Sequence, residues 1–423
     1  MINKLLNKAK EENIELEIFK DRNKCDSITV YNDNLDKFDS SDITTFNIKA
    51  LYNNKTIYLK SDNINDIDYI IDLIKEQSKL IENDDINELA TTKNKIKVSL
   101  EEDKINYSEL INNLISLYDL KKQYSNLVSI TSEIESIYTE YSLYNENVSL
   151  EDKNKYYCVV FEVVMNFNGV NKTHYQYFYF KKLDFNKIKK ITIDIIEEII
   201  SKNNITSIDT EKYNILLDNR CVSKLLNKFS SMFSAERINK KLSILTDRLN
   251  EKVFSDKITI IEDPQNDSYV GKRLFDTEGT ETFYKIIVEN GIFKTKLYNN
   301  KTALKENIKS TGNSFGVRNM HIKPGEKSKE ELLEQLNNGI YITNIEGLHA
   351  GVNTTTGDIS LMSEGYIIKD GKKDKYLEMI VLSSNIFEIL NNIEEIGNDL
   401  QFDSLSCGAP SLLLNDITVA GDK

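Results

Sequence analysis

Alternating apolar and polar positions predict strands near the start of the chain. The run DSITVYND (Asp26–Asp33) and the longer run TFNIKALYNNKTIYL (Thr45–Leu59) alternate in part and are rich in β-branched and aromatic residues. Asn53-Asn54 divides the longer run, and asparagine tolerates the left-handed backbone of a tight turn. We therefore predict a hairpin at this point.

Isoleucines at helical spacing follow these strands. They predict a helix from about Ile64 to Glu82, and Ser61 or Asp62 can cap its start. Residues 84–126 are polar with weak periodicity, which is typical of a helical connector. The isoleucines on the predicted apolar face are Ile67, Ile70, Ile71, Ile74 and Ile81.

A second group of strands starts with YYCVVFEVVMNF (Tyr156–Phe167) and THYQYFYF (Thr173–Phe180). Asn168-Gly169 lies between them and is a strong hairpin signal, because both residues accept positive φ. An isoleucine stripe then predicts a helix over about Phe185–Lys202. This pattern favours a long sheet with helices packed on it.

The rest of the chain is mostly β in pattern. YNILLD (Tyr213–Asp218) reads as a buried strand, and Asn290-Gly291 and Asp370-Gly371 each predict a hairpin turn. A helix over Ser328–Leu336 interrupts the strands. Another helix follows YNILLD, with an apolar face made of Val222, Leu225, Leu226, Phe229, Met232 and Phe233.

These elements predict an α+β protein of three parts. We expect an N-terminal α/β domain with a helical connector over 1–126 and a middle hairpin and helix section over 127–210. We expect a β-rich C-terminal domain with packed helices over residues 211–423.

Composition excludes several classes of protein. The net charge of −13 argues against a nucleic-acid binder with a broad basic surface. The charged N-terminus has no apolar run of signal-peptide length, and no stretch has the length of a membrane helix. We therefore expect a cytoplasmic protein that binds neither nucleic acid nor membrane. The four cysteines are far apart and form no CxxC pair, which argues against disulfides and a cysteine-rich zinc module.

Glycines concentrate in GLHAGVNTTTGDISLMSEGYIIKDGK, although the chain has only 16 of them in 423 residues. Asp370-Gly371 closes a hairpin, and we expect Gly365 to begin its first strand. Gly347, Gly351 and Gly357 are left without a role in that hairpin.

An ordered set of short motifs runs from Asp263 to the C-terminus. The chain resembles the TldD/PmbA family in these motifs, and within it the PmbA branch, also called TldE. The motifs are Asp263-Pro264, FDTEGTET (Phe275–Thr282), ENGIFKTKLYN (Glu289–Asn299), STGNS (Ser310–Ser314), NGIYITNIEGLHAGVNTTTGDISLMSEGYIIKDG (Asn338–Gly371), IGNDL (Ile396–Leu400) and CGAPSLLLNDITVAG (Cys407–Gly421).

The resemblance implies a fold and a function. The fold has an N-terminal α/β domain, a connecting section and a large, strongly curved, mostly antiparallel C-terminal sheet around a peptide chamber. TldD-branch chains carry zinc on an HExxxH helix with a distant cysteine ligand. They pair with PmbA/TldE chains, and the pair trims or degrades unfolded peptides, including in the maturation of small peptide products.

The matching positions of this chain depart from the zinc motif. Asn227 and Met232 stand where the two histidines would be, and Lys228 replaces the glutamate. Cys407 lies at a position similar to that of the cysteine ligand. Zinc prefers imidazole, thiolate and carboxylate ligands, so this set disfavours zinc. Each residue also has a purely structural explanation, as a solvated helix position or as core. We predict no catalytic residue and no metal in this chain, with zinc in a TldD-type partner.

A nucleophilic hydrolase is the first alternative. His349, Asp358 and Ser360 could form a catalytic set only if the loop folded back on itself, and such sets arise often by chance. The second alternative is a homodimeric, non-enzymatic peptide-binding protein.

Residues 346–361 are the predicted peptide-binding segment. An extended peptide can pair with exposed backbone, and glycines let two backbones approach closely. Ordinary turns that belong to the fold are the competing explanation. The candidate residues are Gly347, His349, Gly351, Asn353, Thr355, Thr356, Gly357, Asp358 and Ser360.

Overall fold

The computed structural model describes residues 1–81, 88–91, 96–97 and 105–421. Within these residues the chain forms three β-sheets with helices packed on them, which confirms the predicted α+β class. The predicted helix end at Glu82 and part of the predicted connector over 84–126 lie outside the described residues.

The first sheet is antiparallel, with strand order β3-β2-β1-β4-β5-β6. It is built from long hairpins, and its strands extend well beyond the predicted runs. Because β1 pairs with β4, strands from both sides of residue 126 share one sheet, and the predicted division there falls within it. The strands are β1 (Glu15–Tyr31), β2 (Asn34–Tyr52), β3 (Lys55–Ser61), β4 (Leu127–Tyr144), β5 (Ser149–Phe167) and β6 (Val170–Phe180).

Helices pack on the first sheet. The second of them starts after Asp66, whose side chain accepts a hydrogen bond from the Tyr69 backbone N–H, so the predicted cap at Ser61 or Asp62 is wrong. The first helix was not predicted, because it is short and its apolar residues are few: Leu5 and Ala9 are buried, Ile2 and Leu6 are partly buried, and the others are polar. The helices are α1 (Ile2–Glu11), α2 (Ile67–Leu80), α3 (Tyr107–Ile115) and α4 (Phe185–Ser201), with a 3₁₀ turn over Ser116–Lys122.

The second sheet closes on itself as a barrel. Its order is β16-β19-β8-β13-β14-β15-β7, and β15 also pairs with β19 through Val381–Ala420 and Leu382–Val419. This closure accounts for the strongly curved sheet that was expected. The strands are β7 (Ile205–Thr206), β8 (Glu211–Leu217), β13 (Gly339–Glu346), β14 (Asp358–Lys369), β15 (Lys372–Asn385), β16 (Ile393–Ile396) and β19 (Leu412–Ala420).

Gly365 does not begin a strand as predicted. Strand β14 begins at Asp358, and Gly365 lies inside it, where the pairing register shifts after Ser363. A Cβ at Gly365 would lie 2.1 Å from the carbonyl oxygen of Tyr341. The glycine therefore permits a close approach between β14 and β13.

The third sheet is small and has the order β11-β10-β9-β12-β18-β17. All its described pairs are antiparallel except the parallel pair of β12 and β18. Its strands are β9 (Ile260–Glu262), β10 (Lys285–Glu289), β11 (Ile292–Phe293), β12 (Met320–Ile322), β17 (Gln401–Phe402) and β18 (Cys407–Ala409).

The largest core cluster lies between the barrel and the third sheet, and the helix after β8 crosses it. This helix buries Val222, Leu225, Leu226 and Phe229, as its apolar pattern predicted. The helices of this half are α5 (Asn219–Phe229), α6 (Ala235–Asn239), α7 (Asn300–Lys305), α8 (Lys329–Leu336) and α9 (Ile386–Asn391), with a 3₁₀ turn over Ser230–Phe233. Among the described helices, none is long and apolar enough to cross a membrane.

Candidate functional site

Helix α5 holds the positions that correspond to the zinc motif. Asn227 is exposed near the end of the helix, and Lys228 is half-buried beside it. Met232 lies beyond the helix in the 3₁₀ turn and is 1% exposed within the large core cluster. The three side chains therefore differ in environment, and one of them is core.

Cys407 lies in β18, under α5, and is fully buried. Burial raises the pKa of its thiol well above the ordinary value, which disfavours the thiolate that zinc needs. Its backbone carbonyl accepts a 3.0 Å hydrogen bond from the Ser223 hydroxyl, which joins β18 to α5. Cys407 is thus placed as a core residue.

The residues at these four positions do not fit a zinc ion. Only Cys407 is of a type that zinc prefers, and its thiol is held in apolar surroundings. In the described part of the chain, no group of three or more His, Cys, Asp or Glu side chains is placed to hold a metal. We derive no metal-dependent step for this chain.

The predicted peptide-binding segment, residues 346–361, covers the loop between β13 and β14 and the start of β14, and the loop folds back along β14. The Ser360 N–H donates to the Gly351 carbonyl at 2.8 Å, and Val352 bridges Ile359. A Cβ on Gly351 would lie 2.1 Å from the Ser360 carbonyl oxygen, and Gly357 has φ of +88°. These two glycines are therefore needed by the loop itself.

Polar side chains hold the loop in this shape. The Asn353 Oδ1 accepts from the backbone N–H groups of Thr355 and Thr356, at 2.9 and 3.2 Å. Asp358 accepts from the Thr356 hydroxyl and, at 3.0 Å, from the Asn385 amide. These two bonds lower the pKa of the exposed Asp358 carboxyl, with the Thr356 bond the larger cause. The loop is thus preorganised by its own hydrogen bonds.

Three candidate side chains take no part in this network. His349, Thr355 and Ser360 are exposed, and within the described residues their own side chains make no hydrogen bond. Gly347 is also open, because a Cβ there would meet nothing within 4 Å. This part of the loop offers polar groups and backbone to a ligand.

The hydrolase alternative requires His349 to bridge Asp358 and Ser360. Asp358 instead bonds Thr356 and Asn385, and in the described chain His349 has no hydrogen bond to either of the other two residues. The loop does fold back, as that alternative required, yet the three side chains form no relay.

The loop lies beside the segment that follows the zinc-motif positions. An Arg237 Nη in α6 donates to the Leu242 carbonyl at 2.9 Å and approaches the Thr354 hydroxyl at 3.5 Å. Arg237 follows Met232 by five residues, so the loop contacts the segment just after the zinc-motif positions.

We expect Gly351→Ala to destabilise the chain by about 2 kcal/mol, since the new methyl group would overlap a backbone carbonyl that cannot move easily. Gly347→Ala is the matched control. A methyl group at position 347 meets open space, but the backbone φ is +79°, so we expect a loss of stability of about 1 kcal/mol from backbone strain alone. Urea unfolding would measure both. Equal stability of Gly351→Ala and the parent chain would contradict the loop packing.

A charged cluster lies at the start of α5, and the sequence analysis did not predict it. Its only sequence signal was Asp218, the aspartate that ends the run YNILLD. Asp218 is 2% exposed and accepts from the Lys329 ammonium at 2.8 Å and from the Tyr341 hydroxyl at 2.5 Å. Its other oxygen caps α5 through the Arg220 N–H at 3.1 Å and accepts from the Arg220 Nε at 3.2 Å. Lys329 and Arg220 hold the pKa of this carboxyl well below its usual range, against the effect of burial.

Comparisons with known proteins agree on one family. The family model described as the PmbA/TldA metallopeptidase C-terminal domain matches residues 210–421. A Buchnera aphidicola protein named Metalloprotease PmbA homolog is 31% identical over 224 residues, 53% of this chain and 49% of that protein. Metalloprotease PmbA of Escherichia coli O157:H7 is 26% identical over 266 residues, 62% and 57% of the two chains. The chain thus spans about half the length of the curated relatives it matches.

Solved structures match along nearly the whole chain. A Thermotoga maritima protein described as a candidate modulator of a DNA gyrase gives a TM-score of 0.86 at 26% identity, covering 99% of both chains. TldE from Thermococcus kodakarensis gives a TM-score of 0.83 at 18% identity, covering 99% of this chain and 100% of that one. The second likeness is one of fold.

Proposed function

The chain belongs to the TldD/PmbA metallopeptidase family, on its PmbA/TldE branch, and from this premise we propose that it is the subunit without zinc of a two-chain peptidase. It pairs with a TldD-type zinc chain, completes the peptide chamber and holds unfolded peptides for cleavage or maturation. It contributes no catalytic residue and acts in the cytoplasm.

The observation that carries this proposal is the chemistry of the zinc-motif positions. An exposed amide at Asn227, an ammonium at Lys228 and a buried thioether at Met232 supply neither imidazole ligands nor a general base. A positive charge at Lys228 would also repel a cation at this place. Hydrolysis therefore has to come from another chain.

The β13–β14 loop supports a role in holding peptide. It is fixed by its own hydrogen bonds, so the loop loses little conformational entropy when a ligand binds. Beside it, β14 exposes Met362 and β15 exposes Met379, at 52% and 66%. Flexible methionine side chains adapt to varied apolar groups, which suits unfolded substrates of many sequences.

Reconstitution tests the proposal. We expect the pure chain to hold no stoichiometric zinc and to leave an unfolded peptide uncleaved. Adding the HExxxH-bearing chain of the same organism should raise cleavage by at least about tenfold over either chain alone. Zinc content is read by mass spectrometry and cleavage by chromatography of the peptide products.

Two variants sharpen this test. Replacing the motif glutamate of the partner should abolish cleavage, whereas Asn227→Ala in this chain should leave the mixture unchanged, because Asn227 is only a surface amide. Zinc in the pure chain, or cleavage lost on His349→Ala in the pure chain, would overturn the proposal. A stable homodimer that binds peptide and ignores the partner would favour the non-enzymatic alternative.

A further inference from the structure

A charged cleft lies between the first sheet and the barrel, with a volume of about 540 Å³. Helix α4 and strand β6 form one wall, and the starts of α5 and α8 together with β13 form the other. Phenylalanines of β6 add apolar surface to the polar lining. The charged and polar groups that matter for the argument are Lys190, Asp194, Arg220, Lys329, Tyr341 and Lys373.

Part of this lining is already neutralised. Lys329 bonds Asp218 at 2.8 Å and lies 3.4 Å from the Asp399 carboxylate. Tyr341 donates its hydroxyl hydrogen to Asp218. These groups form a fixed floor, because each of them is committed to a partner within the fold.

Two other cations of the cleft, Arg220 and Lys373, can still donate hydrogen bonds to a ligand. Arg220 uses its backbone N–H and Nε for Asp218, and within the described residues its terminal nitrogens have no hydrogen bond. The Lys373 ammonium lies over the rings of Tyr366 and Tyr341, at 4.5 and 5.4 Å from their centroids. In the described chain no carboxylate oxygen lies within 4 Å of it.

The anions of the cleft offset these cations only in part, because the charge of Glu198 acts on both Arg220 and Lys373 but is shared with Lys202. Glu198 is engaged by Lys202 at 3.5 Å and lies 4.0 Å from His174. Asp194 is exposed on α4 and lies farther than 4 Å from every described cation, Lys190 included. A planar guanidinium fork, whose terminal nitrogens have no hydrogen bond within the described residues, lines the same cleft as an ammonium, and together they match a carboxylate in charge and hydrogen-bonding geometry.

We propose that the charged cleft binds a carboxylate of the peptide, with the terminal nitrogens of Arg220 and the ammonium of Lys373 as its donors. The ligand class is a peptide with a free carboxylate, either its own C-terminus or an acidic side chain. This inference rests on the proposed peptide-holding function.

The position of the cleft agrees with that function. Thr343 of β13 lines the cleft, and the same strand leads to Gly347, where the loop begins. At about 3.3 Å per residue this distance is roughly 13 Å, which about four extended residues span. A peptide anchored by a carboxylate in the cleft thus reaches the loop along β13.

Fluorescence anisotropy with end-labelled unfolded peptides tests the inference, with the chain alone and with the HExxxH-bearing partner. One peptide without Asp or Glu is prepared as the free acid and as the C-terminal amide, and a third peptide carries one internal Glu and an amidated end. We expect the free acid to bind about tenfold more tightly than the amide, as for a charge-assisted pair. The third peptide then distinguishes a C-terminal carboxylate from an acidic side chain. If its affinity equals that of the free acid, the site accepts acidic side chains as well.

Variants localise the effect. Lys373→Met keeps the aliphatic stem and should remove most of the preference for the acid, and Arg220→Gln should remove the rest. Lys372→Met is the control, because it is an exposed neighbour in β15 outside the cleft lining. Lys373 has no bond to Asp218, so a folding defect in Arg220→Gln would leave the Lys373 test intact.

The outcomes separate the two levels of the proposal. If peptides bind but acid and amide bind equally, the cleft inference is wrong while the peptide-holding function stands. A preference that survives both Lys373→Met and Arg220→Gln also overturns the assignment. If no peptide binds, alone or with the partner, both the function and the inference fail.

Discussion

Replacing Asp218 by alanine is expected to destabilise the chain by about 3–5 kcal/mol, because the change leaves buried donors without their acceptor. The carboxylate is 2% exposed and accepts from Lys329, Tyr341 and two nitrogens of Arg220. It also caps α5, and loss of an aspartate cap alone costs about 1 kcal/mol. Urea unfolding at neutral pH would measure the change.

Asp374→Ala is the matched control, since Asp374 is exposed in β15 of the same barrel, and a change within about 0.5 kcal/mol is expected. Asp218→Asn should cost less than Asp218→Ala, as the amide retains shape and part of the capping. A cost below about 1 kcal/mol for Asp218→Ala would contradict the buried network.

The pH dependence of Asp218 has a defined sign. Its pKa is lowered in the folded chain, chiefly by the charges of Lys329 and Arg220, so the unfolded state binds the proton first. The stabilisation is therefore complete above the ordinary aspartate value of about 4 and is lost as the pH falls below it. The stability difference between the parent chain and Asp218→Asn should shrink over that acidic range. A difference that stays constant with pH would show that charge is not involved.

Local signals in the sequence predicted the hairpins well. Asn168-Gly169, Asn290-Gly291 and Asp370-Gly371 all have positive φ at both residues, as does Asn53-Asn54. Such turns are predictable because the requirement for positive φ acts on two adjacent residues. The apolar face of α5 was equally clear, because helical spacing determines which side chains share a face.

Non-local pairing was beyond the sequence signals. The barrel closes where Val381 meets Ala420, and nothing in either run identifies that partner. Asp218 finds Lys329 and Tyr341 at sequence separations of 111 and 123 residues. The charged cleft depends on these pairings, so the sequence could not predict that Arg220 and Lys373 line the same cleft.

The glycine-rich segment shows how one pattern carries two explanations. The sequence predicted that its glycines allow close backbone contact, and Gly351 does make one, with the carbonyl of Ser360 in its own chain. A requirement for glycine does not reveal whether the approaching backbone belongs to the same molecule or to a ligand. Contact with a peptide stays a prediction for the open residues Gly347, His349, Thr355 and Ser360.

One motif of the family resemblance contacts a buried ion pair in the third sheet. Glu262, next to Asp263-Pro264, accepts from the Lys285 ammonium at 2.7 Å and from the Arg318 N–H at 2.8 Å. Asn313 of the STGNS motif donates to both of its oxygens, at 2.9 and 3.0 Å. Side-chain exposures of 3% for Lys285 and 1% for Glu262 place the pair in the core. Asn313 of the STGNS motif therefore serves the scaffold.

Lys285→Met is expected to destabilise the chain by about 3 kcal/mol or more, because it leaves the Glu262 charge buried without a cation. The double variant Glu262→Gln/Lys285→Met should recover part of that loss, since a neutral amide still accepts from Arg318 and removes the unpaired charge. Lys294→Met, at an exposed neighbouring position, is the control and should change stability by no more than about 0.5 kcal/mol. Unfolding in urea gives all three values. If the double variant is less stable than Lys285→Met, the amide at position 262 has lost more stability than removal of the unpaired charge restored. That result would show that the residues around position 262 require the charge of Glu262.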